Sequence, residues 1–195
     1  MPAGPRPARS RSQQERRRKI VKSAAALASR GGVEAMQMRT VAERAGVALG
    51  TLYRYFPSKM DLVVAVVAEE LDLLEGSIER RPPSGDTPAE RAVAVLMRAT
   101  RGLMREPELA EALIRALMLT DVQTGFGDRM TDLLLRAATG RADVAEIPPG
   151  DPRRALVRAL SSAWIMEMIE MLRGRADTAE IQARLDVAAA RLIDF

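Results

Sequence analysis

Residues 41 to 59 of the chain read VAERAGVALGTLYRYFPSK, and this stretch decides the fold of the N-terminal part. Two short helices form a helix-turn-helix when three local conditions are met. The first helix needs a small residue at the crossing, the turn needs a glycine that can take a positive φ, and the second helix needs an apolar residue facing inward. Ala42, Gly46 and Leu52 meet these conditions. The stretch therefore predicts two helices, over residues 38–45 and 49–56.

The outward side of the second predicted helix is small at its N-terminal end. Leu52 and Phe56 can turn toward the core, which leaves Gly50 and Thr51 outward. Small residues there allow close approach to base edges in a DNA major groove. Polar groups farther along can reach phosphates, which fix register without reading sequence: Tyr53, Tyr55 and Lys59. The alternative is that YRYF is a core patch at helical spacing, which suits Phe56 best.

Charge is divided unevenly along the 195 residues, whose net charge is +4. Residues 1–60 carry thirteen Lys and Arg against three Asp and Glu, whereas residues 61–195 carry seventeen against twenty-three. A segregated basic region is the usual footprint of a polyanion partner. Residues 1–12, rich in Pro, Ser, Arg and Gly, are predicted to be a disordered basic arm that contacts nucleic acid. The alternative is a solvated tail without a partner.

The composition argues against most enzymes. The chain has no cysteine and no histidine, which removes disulfides, the usual structural zinc sites and the commonest nucleophiles and general bases. We expect no catalytic residues, no metal and no cofactor. One acidic pair, Glu167 and Glu170, could serve acid/base chemistry in a helical enzyme, but its spacing beside Arg173 indicates a solvated face or a polar pocket contact. A helical enzyme or interaction protein with an incidental basic region is the remote alternative.

The chain also lacks membrane and export signals. No run of eighteen apolar residues occurs, and no apolar segment follows the basic N-terminal residues, so we expect a cytoplasmic protein that does not bind a membrane.

Helix signals continue to the end of the chain. A first helix is predicted over residues 13–30 and stops at Gly31-Gly32, and proline-rich breaks lie at residues 81–88 and 147–152. No alternating strand pattern of useful length appears. The predicted architecture is all-α with about nine helices: three short helices over residues 13–60 and a bundle of about six over residues 61–195. The helix that starts after Ser58 is expected to be the only one long enough to touch both parts.

Residues 41–59 resemble the DNA-binding signature of the TetR family of bacterial one-component repressors, and the chain length and helix count fit that family. The resemblance implies an N-terminal helix-turn-helix DNA-binding domain and a C-terminal ligand-binding and dimerisation domain. It also implies a homodimer through the last two helices, which leaves a palindromic double-stranded DNA operator when a small-molecule effector fills a cavity. The family's DNA contacts fall on Ala48, Gly50, Thr51, Tyr53, Tyr55 and Lys59.

One position departs from the family pattern. The residue that opens the first helix of the motif is often a phosphate-binding Ser or Thr, whereas it is Met38 here. Arg39 and Thr40 are therefore the candidates for that contact.

A narrower resemblance covers residues 36–59, 105–121 and 161–193, which are similar to members of the family that repress cholesterol catabolism in actinobacteria. It implies a steroid-acid coenzyme A thioester as effector and control of steroid or lipid catabolism genes. An unrelated hydrophobic effector, such as an inducer of drug efflux, is the alternative.

The C-terminal part offers flexible methionines and rigid aromatic rings, which suit a large apolar ligand, although methionines at helical spacing are equally well explained as core. The predicted effector pocket consists of Met97, Thr100, Met104, Leu113, Phe126, Met130, Trp164 and Met168. The predicted dimer seam consists of apolar residues on the last two helices, Leu156, Leu160, Ile181, Leu185 and Leu192.

Overall fold

The computed structural model describes residues 7–119, 125–140 and 147–193, and within these ranges it contains nine helices and no strand. The helices are α1 (Pro7–Ala35), α2 (Met38–Ala45), α3 (Leu49–Tyr55), α4 (Lys59–Arg80), α5 (Pro88–Leu103), α6 (Pro107–Leu119), α7 (Phe126–Thr139), α8 (Pro152–Leu172) and α9 (Thr178–Leu192). The predicted all-α architecture is confirmed. We call α1–α3 the head and α5–α9 the body. None of the helices described is long and apolar enough to cross a bilayer.

Helix α1 begins earlier than the sequence predicted. Residues 7–12 are helical instead of part of a disordered arm, and residues 1–6 lie outside the described residues. Proline is favoured at the first helical position, and no glycine or further proline follows Pro7 until Gly31. No helix-breaking residue therefore separates Pro7 from the rest of α1. The glycine pair interrupts the helix as predicted. Gly32 has a φ of 64°, which residues with a side chain rarely adopt.

Helices α2 and α3 form the predicted helix-turn-helix. Gly46 ends α2 in the left-handed conformation, with φ 64° and ψ 41°. The backbone N–H of Val47 donates to the carbonyl of Ala42 at 3.0 Å, which closes the turn. Leu52 is fully buried and Phe56 is 2% exposed, so both hold α3 against the rest of the head. Helix α3 ends one residue earlier than predicted, at Tyr55.

Helix α4 joins the head to the body. It starts at a capping box, in which the backbone N–H of Asp61 donates to Ser58 Oγ at 3.1 Å and the backbone N–H of Ser58 donates to the Asp61 carboxylate at 2.9 Å. The helix packs against α1 on the head side and against α5, α6 and α7 on the body side. The sequence indicated that α4 would be the only helix to touch both parts. The structure shows a second connection, because α1 also packs against α6.

Three residues of the predicted dimer seam belong to the core of the single chain. Leu160 and Ile181 are 0% exposed and Leu185 is 1% exposed, because α9 packs against α5 as well as against α8. Leu156 is exposed and Leu192 is half-buried. Part of the exposed surface of the last two helices, which we call the α8/α9 face, carries uncharged and mostly small residues at helical spacing: Ala155, Ala159, Ser162 and Met166 on α8, and Ala179, Ala183, Val187 and Ala190 on α9.

Candidate nucleic-acid interface and ligand cavity

The predicted DNA-contact residues lie at the surface of the head. Tyr53 is 46% exposed, and Ala48 and Gly50 are exposed beside it at the start of α3. The remaining positions are exposed or half-buried: Arg39 and Thr40 in the first turn of α2, Thr51 and Tyr55 on α3, and Lys59 at the start of α4. The structure thus brings all eight residues to the first turns of α2 and α4 and to the outward side of α3. Their contact with DNA stays a prediction.

The YRYF segment combines a core anchor with two surface rings. Phe56 packs in the core, and its ring lies 5.4 Å from the guanidinium carbon of Arg17 on α1, within cation–π range. The Tyr55 ring is half-buried, with its centroid 6.5 Å from that of Phe56. The core interpretation therefore holds for Phe56 and in part for Tyr55, which packs against the core, while the Tyr53 ring is exposed.

A groove between α1 and α2 adds basic residues of the N-terminal region that lie outside the eight predicted DNA contacts. It is lined by Arg18, Lys19, Lys22 and Arg44, together with Glu15. The Lys19 Nζ atom approaches the helix-turn-helix turn and lies 3.5 Å from where a Cβ on Gly46 would be. Exposed lysines three residues apart on α1 were the signal for this groove in the sequence.

A cavity of about 510 Å3 lies between α4, α5, α6, α7 and α8, and we call it the ligand cavity. Its wall is mainly aliphatic and aromatic. Five of the predicted pocket residues line it: Leu113, Phe126, Met130, Trp164 and Met168. The Phe126 and Trp164 rings stack, with centroids 6.4 Å apart and planes 14° from parallel. Their stacking makes one wall of the cavity rigid.

Three predicted pocket residues are absent from the cavity wall. Met97 is 2% exposed and lies in the core, and Met104 is half-buried at the end of α5. Thr100 is 1% exposed and sits behind the wall, where its hydroxyl accepts a hydrogen bond from Trp164 Nε1 at 2.8 Å. Helix α5 packs against both α7 and α9, so its buried side chains are divided between the core and the cavity. Ala99 and Leu103 are the ones that line the cavity.

Charged side chains at the cavity were missed by the sequence-based prediction. They are Glu70 on α4, Arg98 and Arg101 on α5, and Arg105 and Glu106 between α5 and α6. Arg98 is engaged, because its Nη1 donates to the carbonyls of Ser77 at 3.1 Å and Arg81 at 2.6 Å. Arg101 and Arg105 are exposed, and no ion pair with another described residue holds them. They lie four residues apart, at the end of α5 and in the turn that follows it.

The pKa of Glu70, whose side chain lines the cavity, is higher than usual. Burial raises the pKa of Glu70, and the nearby carboxylates of Glu106 and Glu69 raise it further. The ionised form is therefore less favourable here than in water.

The acidic pair considered for catalysis is engaged in ion pairs at the surface. Arg184 on α9 donates to Glu167 at 3.0 Å, and Arg175 Nε donates to Glu170 at 2.7 Å. The hydrogen bond from Arg175 lowers the pKa of Glu170, which is the wrong direction for a general acid near neutral pH. Among the described residues, no group of three carboxylate, histidine or cysteine side chains could hold a metal ion.

Comparison with protein families and curated proteins places the chain among bacterial regulators. Residues 20–66 match the model of bacterial regulatory proteins of the tetR family, and residues 85–192 match the model of the tetracyclin repressor-like C-terminal domain. The HTH-type transcriptional repressor KstR of Rhodococcus jostii is 39% identical over 189 residues, which are 94% of this chain and 85% of that protein. KstR of Mycobacterium tuberculosis is 36% identical over 184 residues, 94% of this chain and 83% of that protein.

Solved structures agree with this assignment. A TetR transcriptional regulator from Rhodococcus sp. RHA1 superimposes with a TM-score of 0.74 at 31% identity, covering 93% of this chain and 97% of that one. The regulator FadR of Bacillus subtilis in complex with stearoyl-CoA shares the fold, with a TM-score of 0.62 at 18% identity over 91% of this chain and 97% of that one. The relatives are transcriptional repressors and not enzymes. This chain therefore belongs to the TetR family of bacterial regulatory proteins.

Proposed function

We propose that this cytoplasmic protein is a ligand-responsive transcriptional repressor. It binds a palindromic double-stranded DNA operator as a homodimer and is released when a small hydrophobic effector fills the ligand cavity. One observation carries the proposal: α4 starts at Lys59 in the predicted DNA surface and contributes Val67, Leu71 and Leu74 to the cavity wall. A ligand that displaces this wall acts on the helix that positions the head.

The operator contacts that we propose are the eight surface residues of the head. Small side chains at Ala48, Gly50 and Thr51 let α3 approach base edges, while Tyr55 and Lys59 bind phosphates. Arg39 and Thr40 take the phosphate contact at the start of α2, because Met38 cannot. The basic groove with Lys22 and Arg44 adds a sequence-independent attraction for the duplex.

The effector that fits the cavity best is an amphipathic anion, and an acyl-coenzyme A thioester is such a molecule. The apolar wall suits a fatty or steroid acyl group, and the exposed Arg101 and Arg105 suit phosphates outside the cavity. The resemblance to KstR favours a steroid-acid thioester and control of steroid or lipid catabolism genes. FadR of Bacillus subtilis, which shares this fold, has been solved in complex with stearoyl-CoA, and this supports an acyl-CoA as the class of effector.

The switch requires an effector that distinguishes two conformations of the protein. Moving the population from 1:99 to 99:1 needs a preference of about 5.5 kcal/mol for the form that cannot bind DNA. At roughly 25 cal/mol per Å2, differential burial of about 200 Å2 of apolar surface supplies this preference. The apolar wall shared by α4, α6, α7 and α8 and the apolar body of the ligand would both contribute to this burial.

The test is an electrophoretic shift assay with DNA from around the protein's own gene, with and without stearoyl-CoA and the coenzyme A thioester of a steroid acid. We expect Tyr55→Phe combined with Lys59→Ala to weaken DNA binding, and Ala99→Phe, which fills the cavity, to leave it intact while abolishing release. Arg115→Ala, on the exposed side of α6, is the control. Release by an uncharged apolar inducer but by neither thioester would favour the drug-responsive alternative. Loss of DNA binding in Ala99→Phe would contradict the separation of the two sites.

A further inference from the structure

One carboxylate in the ligand cavity lacks the partner that its neighbours have. On α4, Glu69 is paired with Arg18 at 3.2 Å, and Glu75 is paired with Arg129 at 3.0 Å. Glu70 lines the cavity between Val67 and Leu71, and no hydrogen bond or ion pair joins its side chain to another residue that the structure describes. Its oxygen atoms are therefore available to whatever fills the cavity.

The surroundings of Glu70 make an unpaired carboxylate energetically unfavourable at this position. The side chain is half-buried among apolar residues, and the carboxylates of Glu106 and Glu69 repel it. Arg98 lines the same cavity but donates to the carbonyls of Ser77 and Arg81 instead. A half-buried charge is stabilised by any hydrogen-bond donor that reaches it.

We propose that Glu70 accepts a hydrogen bond from a hydroxyl or amide N–H group of the effector, so that the cavity selects apolar molecules with a donor at the mouth. An ionised carboxylate can only accept hydrogen bonds. The ligand must therefore supply the donor. Glu106 and Arg105 are exposed at this end of the cavity, so the donor group lies between the apolar body of the ligand and solvent.

The inference rests on the proposed ligand-binding function, and it deepens that function by naming a specificity residue. Because Glu70 is on α4, the hydrogen bond forms on the helix that leads to Lys59 and the head. A ligand without the donor can still fill the apolar part of the cavity. It leaves the carboxylate unpaired, and its affinity is lower for that reason.

Trp164 allows this to be measured without DNA, because it is the only tryptophan of the chain and lines the cavity. The probes are 1-dodecanol and its methyl ether, 1-methoxydodecane, which differ in the hydrogen-bond donor. We expect the wild-type protein to bind the alcohol about tenfold more tightly than the ether, as a hydrogen bond to a charged group predicts. Glu70→Leu should bind both equally, and Glu70→Gln, which keeps an acceptor, should retain part of the preference.

Glu69→Leu is the matched control, because it removes a carboxylate from the next position of α4 without touching the cavity wall. It should keep the full preference for the alcohol. The same ratio of affinities in the wild type and both Glu70 variants would overturn the inference, as would unchanged Trp164 emission with both probes. A Glu70-dependent preference for the alcohol without release of operator DNA would uphold the inference and count against the proposed regulatory function.

Discussion

A single hydroxyl group holds the aromatic wall of the ligand cavity in place. The Thr100 Oγ1 atom donates to the carbonyl of Leu96 at 3.0 Å and accepts the indole N–H of Trp164 at 2.8 Å. Both side chains are buried, and the indole ring stacks on Phe126. Thr100 therefore acts one layer behind the wall, where it fixes the orientation of the ring that a ligand meets.

Replacing this hydroxyl should cost stability. Thr100→Val keeps the volume and leaves the buried indole N–H without an acceptor, so we expect the free energy of unfolding to fall by about 1–3 kcal/mol. Thr100→Ser keeps the acceptor and should lose only the contribution of one methyl group, about 0.8 kcal/mol. Urea denaturation followed by circular dichroism measures both. Equal losses in the two variants would show that the hydroxyl is not the stabilising group.

Glu70 should make stability depend on pH in a defined direction. The pKa of Glu70 is raised in the folded protein above its ordinary value of 4.5, so the folded state holds the proton more tightly and ionisation favours unfolding. This penalty is present above the folded pKa and disappears as pH falls below about 4.5, where the group is neutral in both states. We therefore expect Glu70→Gln to raise the urea midpoint at pH 7, with a gain that shrinks toward pH 4.

Glu69→Gln is the comparison for this measurement, because Glu69 is paired with Arg18 and should show no such gain. A gain from Glu70→Gln that is the same at pH 7 and pH 4 would assign the effect to packing instead of ionisation.

At the scale of helices, ends set by local chemistry could be predicted from sequence. Three helices begin at capping boxes that can be read directly from the sequence: Ser58 with Asp61 before α4, Thr87 with Glu90 before α5, and Asp177 with Glu180 before α9. A capping box depends on two residues three apart, so no tertiary information is needed. The predicted start of α1, at residue 13, was wrong. The composition of residues 1–12 suggested disorder, whereas the helix begins at Pro7.

The sequence could not predict in the same way which part of the molecule each buried side of a helix packs against. Helix α5 is buried on more than one side, and helical periodicity does not say whether Met97 or Ala99 faces the cavity. On the last two helices, the largest apolar side chains, such as Leu160 and Ile181, enter the core of the chain. Hydrophobicity therefore pointed to the wrong residues for an outer seam, since the exposed apolar positions that remain on the α8/α9 face are mostly alanines.

The first turn of α7 meets both the cavity and α4. Phe126 and Met130 line the cavity, while Arg129 between them pairs with Asp72 at 2.6 Å and Glu75 at 3.0 Å. A ligand that shifts this turn therefore pulls on α4 through two ion pairs. We infer that Arg129 carries part of the coupling between effector and operator.

Arg129→Met should preserve effector binding and reduce the ratio of operator affinities without and with effector. The cost in stability should be about 1 kcal/mol or less, because the ion pairs are partly exposed. The ratio is measured by titrating operator DNA at saturating effector. Arg115→Met, which removes an exposed pair inside α6, is the control and should leave the ratio unchanged. An unchanged ratio in Arg129→Met would assign the coupling to the contact between α1 and α6.

At the scale of the whole molecule, two routes connect cavity and head. Helix α4 runs from the predicted DNA surface to the cavity, and α6, which contributes Leu109 and Leu113 to the cavity wall, packs on α1. Both routes would let the proposed effector in the cavity influence the head without direct contact between effector and DNA. By linkage, operator DNA should weaken effector binding by the same factor that effector weakens operator binding.

The proposed operator function needs two heads, because a seven-residue recognition helix reads too few base pairs to select one site in a genome. Two heads about 34 Å apart on a palindrome require a symmetric dimer, and the α8/α9 face offers small residues that let helices approach closely.

In a symmetric seam a residue meets the same surface of its partner, so Ala183→Glu places two like charges in the seam. We expect sedimentation to show a wild-type dimer at micromolar concentration and a monomer for Ala183→Glu, with operator affinity reduced at least about tenfold. Ser84→Glu, in the exposed loop between α4 and α5, adds the same charge and should change neither. If Ala183→Glu remains a dimer, the seam lies elsewhere, and if the wild-type chain is a monomer that still binds its operator, one head suffices and the dimer proposal is wrong.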